Sequence, residues 1–115
     1  MLFTSTGASD VSLSFRPQSL SSVDFWGFDG LRFNLSTGTG STVGTNVLTV
    51  TRESGNSTGL NTIVHSQTMT NTVTDHEYYP NRQRKIRGTD SIRVAWTNDA
   101  ASAKSWGCEI DYEIL

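Results

Sequence analysis

The chain holds two histidines, His65 and His76, and one cysteine, Cys108, and these bound the chemistry open to it. His76 stands in "TDHEYY" between Asp75 and Glu77. On a strand, successive side chains take opposite faces, so Asp75 and Glu77 share one face and His76 points away. A metal there needs ligands from elsewhere, and His65 is the only other imidazole. We therefore expect neither a metal site nor a cofactor. A hydrolase would need His65 or His76 in a cleft beside a carboxylate or a serine. We read no nucleophile elbow, no Walker loop and no dinucleotide-binding unit, so no enzymatic activity is expected.

Three carboxylates, Glu109, Asp111 and Glu113, alternate with Trp106, Cys108, Ile110, Tyr112 and Ile114 in "SWGCEIDYEIL". That is the period of a strand with one apolar and one acidic face. Any strand places alternate residues about 7 Å apart, so this spacing alone is not the carboxylate pair of a glycosidase. The acidic face looks at water, at a neighbouring strand, or at another subunit, which makes Glu109, Asp111 and Glu113 candidate interface residues. "NRQRKIRG" gathers Arg82, Arg84, Lys85 and Arg87, a candidate contact for an acidic partner. If "SIRVAW" and "CEIDYEI" are antiparallel neighbours, Arg93 joins the acidic face and one cross-strand pair forms. A third group is aromatic. Trp26, Tyr78 and Tyr79 would serve as stacking platforms if the chain bound a glycan, whereas core packing is the plainer reading of "DFWGFDG".

These groups need strands to hold them. "VSLSF", "LRFNL", "NVLTVTR", "SIRVAW" and the C-terminal run all alternate, and "TIVHSQTMT" and "NTVTDHEYY" are weaker runs. Gly, Ser, Thr and Asn fill the gaps, and "ESGNSTG" and "TNDAASAKS" look like links between hairpin arms. No window has helical spacing with caps. The expectation is one all-β domain over residues 1–115: an antiparallel sandwich, jelly-roll-like, of about 7–8 strands. Residues 1–15 would be an N-terminal arm or an edge strand. Nine Lys and Arg against eleven Asp and Glu give a net charge of −2, which offers no general case for nucleic acid. No apolar stretch is long enough for a membrane span, and no signal peptide is read at Met1. Cys108 falls on the apolar face and should be a core residue.

The series "NVLTVTRES", "TIVHSQTMT", "DSIRVAWTND" and "SWGCEIDYEIL" resembles the small β-sandwich virion proteins of tailed bacteriophages, capsid decoration (cement) proteins and related accessory modules among them. The resemblance covers residues 30–115 and rests most on "VAWTN" followed by a short polar loop and "WGCEIDY". It implies a jelly-roll-like sandwich without catalysis, a homo-oligomer with a trimer favoured, and the major capsid protein or another virion component as partner. It also implies a place on the virion after synthesis in the host cytoplasm. A glycan-binding module on a tail or fibre is the alternative expectation.

Overall fold

The computed structural model describes residues 2–5, 10–18, 20–21, 23–35, 47–55, 60–69, 74–98 and 104–115. Among them are nine strands and no α-helix: β1 (Leu2–Ser5), β2 (Asp10–Phe15), β3 (Phe25–Leu35), β4 (Val47–Glu53), β5 (Thr62–Thr68), β6 (Asp75–Tyr78), β7 (Arg84–Arg87), β8 (Ser91–Thr97) and β9 (Lys104–Ile114). They form two antiparallel sheets. The first runs β1-β9-β3, with β6 and β7 end to end along the far side of β3; the second runs β2-β8-β4-β5. Segments 2–5 and 10–15 are thus edge strands of different sheets.

Alternation decides what each strand buries. β8 turns Ile92, Val94 and Trp96 inward, β4 turns Leu48 and Val50, and β9 turns Trp106 and Cys108. β3 adds Trp26, Phe28, Leu31, Phe33 and Leu35. These form one core between the sheets, a sandwich-like arrangement. Phe33 joins the layers, with its ring centre 5.1 Å from that of Trp106 beside it and 6.3 Å from that of Trp96 across the core. Cys108 is buried as expected, and burial pushes its thiol up to about 11.

Two expectations need correction. β8 and β9 are not neighbours, because the link between them crosses from one sheet to the other. Ile92, Val94 and Trp96 of β8 meet Trp106 and Cys108 of β9 across the core, while Tyr112 and Ile114, on the expected apolar face of β9, stay half exposed. Arg93 accordingly lies between Ser14 of β2 and Thr51 of β4, away from Glu109, Asp111 and Glu113. Also, "DFWGFDG" belongs to the core and gives no glycan platform at Trp26. It is the first half of β3, the longest partner of β9. Trp26 is fully buried there, its indole N–H donating to the Asp90 carbonyl at 3.4 Å, so it offers no ring to a sugar.

The alternation of β3 slips once. Its pairing with β9 shifts between Phe28 and Gly30, where an extra residue forms a bulge and the buried positions pass from Phe28 to Leu31. Gly30 has φ 154°, a conformation that side chains disfavour, and a Cβ there would lie 2.6 Å from the Tyr78 carbonyl oxygen and overlap the Tyr79 ring. This bulge sets up the site described next.

Candidate functional site

β6 and β7 flank one side of β3 but leave a gap. Tyr78 ends the first opposite Leu31, and Arg84 begins the second opposite Phe28. Residues 79–83 therefore loop out across the bulge. Two glycines of β3 give the loop its seat: a Cβ on Gly27 would collide with the Gln83 side chain, as one on Gly30 would with Tyr79. The Gln83 amide also donates to the bulged Asp29 carboxylate at 2.9 Å.

The loop rims an open cleft of about 670 Å³. Tyr78 and Ile86 lie at its apolar side, and Arg82, Arg84, Lys85 and Arg52 supply four cations. Arg52 comes from the other sheet, so the cleft spans both layers. A second cleft of about 290 Å³ adjoins it, lined by Arg87, Arg52, Asp90 and Leu60 among others. The sequence cluster Arg82, Arg84, Lys85 and Arg87 is therefore gathered on one side of the sandwich. None of the four forms an ion pair among the described residues. Lys85 instead places its ammonium 4.3 Å from the centre of the Phe25 ring.

One buried acid organises this side. Asp90 is 6% exposed; it accepts from Arg52 Nη2 at 3.1 Å and from the Gly55 N–H at 2.8 Å. Its own N–H donates to the Arg87 carbonyl at 2.9 Å, which closes the turn after β7. Sequence reading singled out neither Asp90 nor Arg52. They are 38 residues apart, and the only local cue is an acid at the end of the turn "RGTD".

The two histidines meet, which the sequence did not indicate. His65 of β5 and His76 of β6 place their Nε2 atoms 2.8 Å apart, across the mouth between the sheets. The ring planes are within 1° and the ring centres 5.0 Å apart. The nitrogens are thus closer than the centres by nearly twice the radius of an imidazole ring. The rings consequently lie almost in one plane, nitrogen facing nitrogen, with one Nε2–H donating to the other Nε2. Tyr78 covers a face of His65, with centres 4.2 Å apart and planes within 9°. Burial lowers the affinity of both imidazoles for a proton, and at His76 the His65 charge lowers it further. The pair tolerates one shared proton better than two, because two N–H groups would then face each other.

Among the described residues neither histidine hydrogen-bonds a carboxylate or a serine. The same residues contain no group of three or more His, Cys, Asp and Glu fit to hold a metal. The string Gly55-Asn56-Ser57-Thr58-Gly59 spells Gly-x-Ser-x-Gly. It joins β4 to β5 within an antiparallel hairpin, where a nucleophile elbow leads from a strand into a helix, and residues 56–59 lie outside those described. Among the described residues no helix is long and apolar enough to cross a membrane.

The carboxylates of β9 face outward as the alternation required. Glu109 stands opposite Arg32, Asp111 opposite Gly30 and Glu113 opposite Gly27. Arg32, an outer-face cation that sequence reading passed over, is drawn the other way, to Glu77 at 3.7 Å and Asp75 at 3.9 Å. Tyr79 is 52% exposed; desolvation and the charges of Glu77, Asp111 and Glu109 push its phenol up. Of the aromatic trio, then, Trp26 is buried, Tyr78 is partly covered by His65, and Tyr79 alone presents much of its ring.

No known protein family matches the chain, and no curated protein matches its sequence.

Proposed function

We propose that this chain is a non-enzymatic structural protein of a phage virion, which decorates the assembled head by binding an acidic surface of the major capsid protein or a neighbouring component. The observation that carries the reading is the cleft. Arg52, Arg82, Arg84 and Lys85 rim a concave surface that spans both sheets, and only Arg52 has a carboxylate partner among the described residues. Unpaired cations around a cleft invite an anionic partner. With a net charge of −2 the molecule as a whole repels nucleic acid, so a local acidic patch on a protein fits better.

The strand orders support a jelly roll. With β6 and β7 taken as one interrupted strand, the sheets read β1-β9-β3-β6 and β2-β8-β4-β5, the pattern of two interlocked Greek keys. Jelly rolls occur in viral capsid proteins and in lectins alike, so the fold does not select the function. The virion reading adds the resemblance of residues 30–115 to phage accessory proteins. A protein that binds only the assembled head stabilises it by mass action. On this reading the protein is a homo-oligomer, a trimer by preference, made in the host cytoplasm and carried on the particle.

The test is binding to purified heads. Arg82→Glu with Arg84→Glu should abolish retention on the particle while leaving the fold intact. Retention equal to that of the unaltered chain would remove the cleft from the interface. A second reading, glycan binding, keeps one specific support: Tyr79 lies exposed over Gly30 at the rim of the same cleft. Loss of oligosaccharide binding in Tyr79→Ala, with head binding unchanged, would favour it.

A further inference from the structure

We infer that copies of this chain join edge to edge, the acidic β9 edge of one against the basic β7 edge of the next, to form a closed ring. The inference rests on the homo-oligomer in the preceding reading and specifies its interface. It starts from two unfilled edges. β1 pairs with β9 only over 104–107, so among the described residues 108–114 have no partner on that side. Among the described residues β7 pairs only with β3, and its outer side is likewise open. At this end, among the described residues, the sheet is three strands wide, β9-β3-β7, with a free edge on either hand.

The edges carry opposite charge on the same outer face. Glu113 and Lys85 both stand opposite Gly27, and Arg87 stands opposite Phe25. Pairing β9 with another β9 would bring carboxylates together, and pairing β7 with another β7 would bring cations together. Charge thus disfavours both two-fold dimers that these edges could make and favours the mixed contact. Unlike edges in contact give a heterologous interface, which closes into a ring when the rotation permits. Strand direction permits it: β9 and β7 both run antiparallel to β3 and hence parallel to each other, so rotation about an axis along the strands continues the sheet.

Apolar surface lies along the β9 edge. Tyr112, Ile114 and Leu115 are about half exposed along β9. Beside them a groove of about 200 Å³ opens between the sheets, lined by Leu13, Phe15, Cys108 and Ile110. In the second sheet, near the start of β5, Leu60 and Ile63 are 65% and 66% exposed, and Leu60 shares the smaller cleft with Arg87 of β7. An acidic strand with an apolar inner face is guarded against its own kind yet open to a basic edge.

The test is native mass spectrometry with sedimentation over a range of protein concentration and salt. The unaltered chain should form a ring of one defined size that loosens at high salt. Asp111→Lys with Glu113→Lys should give monomers, as should Lys85→Glu with Arg87→Glu. The chain carrying all four changes should recover the original mass. Mixing the two doubly altered chains should make each bind the other although neither binds itself, which keeps the test decisive if the fourfold chain folds poorly. A monomer at every concentration would overturn the inference. An assembly unmoved by either reversal would also overturn it, while leaving the homo-oligomer standing. Head binding, read separately with the Arg82 and Arg84 variants, decides the cleft independently.

Discussion

β9 and β7 flank the same strand, β3, yet they are held in place by different means. β9 runs from Lys104 to Ile114 and drives Trp106 and Cys108 into the core. β7 has four residues and one buried anchor, Ile86. What it lacks in burial is supplied by polar contacts and by close approach: the turn closed by Asp90, the Arg52 bridge, and Gln83 and Tyr79 seated on glycines. A strand with a long apolar face positions itself. A short charged strand has to be positioned by its surroundings, and here those surroundings are also the walls of the cleft.

The contrast can be broken most forcefully at Gly30. Gly30→Val puts a branched side chain where φ is positive and where the Tyr79 ring already sits. We expect a loss of about 3 kcal/mol, read from the urea midpoint, with the cleft disordered. A loss under about 0.5 kcal/mol would show that the bulge does not hold the loop. Asp90→Ala comes next, at about 2–3 kcal/mol, because it strips partners from Arg52 and the Gly55 N–H. Hydrogen exchange should then accelerate at the amides of β7 and stay slow at 106–110 in β9. Equal acceleration at both would mean that the two edges are not separately supported.

A milder perturbation is pH. The unfolded chain titrates its histidines near the ordinary 6.5, and the folded chain does so lower. Just below 6.5 the unfolded state therefore binds more protons, so stability rises with pH there. The contribution is complete above 6.5 and is lost as the pH falls through the lowered folded values. Thermal melts between neutral pH and pH 5 should show this slope, and His76→Phe should flatten it. The smallest effect belongs to the β9 side: Cys108→Ala should cost about 1 kcal/mol, and the thiol should resist alkylation at neutral pH while the protein is folded.

The β9 side was also the easier to read in sequence. Strict alternation marked "CEIDYEI", "SIRVAW" and "LRFNL" as half-buried strands; the last two are, and the first is so only as far as Ile110, beyond which Tyr112 and Ile114 are exposed. The β7 side was legible only as charge. With Ile86 its one apolar residue, "RKIR" shows no alternation that would mark a strand. The bulge hid the first half of β3, because an extra residue shifts the apolar positions out of phase. His65 with His76 is a contact between sheets, and Arg52 with Asp90 one between β4 and the turn that leads into its neighbour β8; no periodicity reports which segments will meet. The misplacement of Arg93 has the same origin, since a short polar link can serve equally as a hairpin turn or as a crossing between layers.

Counting copies of this chain on purified heads tests most directly whether the basic side binds a particle. Particles assembled with the unaltered chain should carry it in a fixed multiple set by capsid symmetry. Particles assembled with the Arg82→Glu, Arg84→Glu chain should carry none. Heads that lack the unaltered chain altogether would contradict the assignment, and heads that keep both chains in equal number would contradict the role given to the cleft.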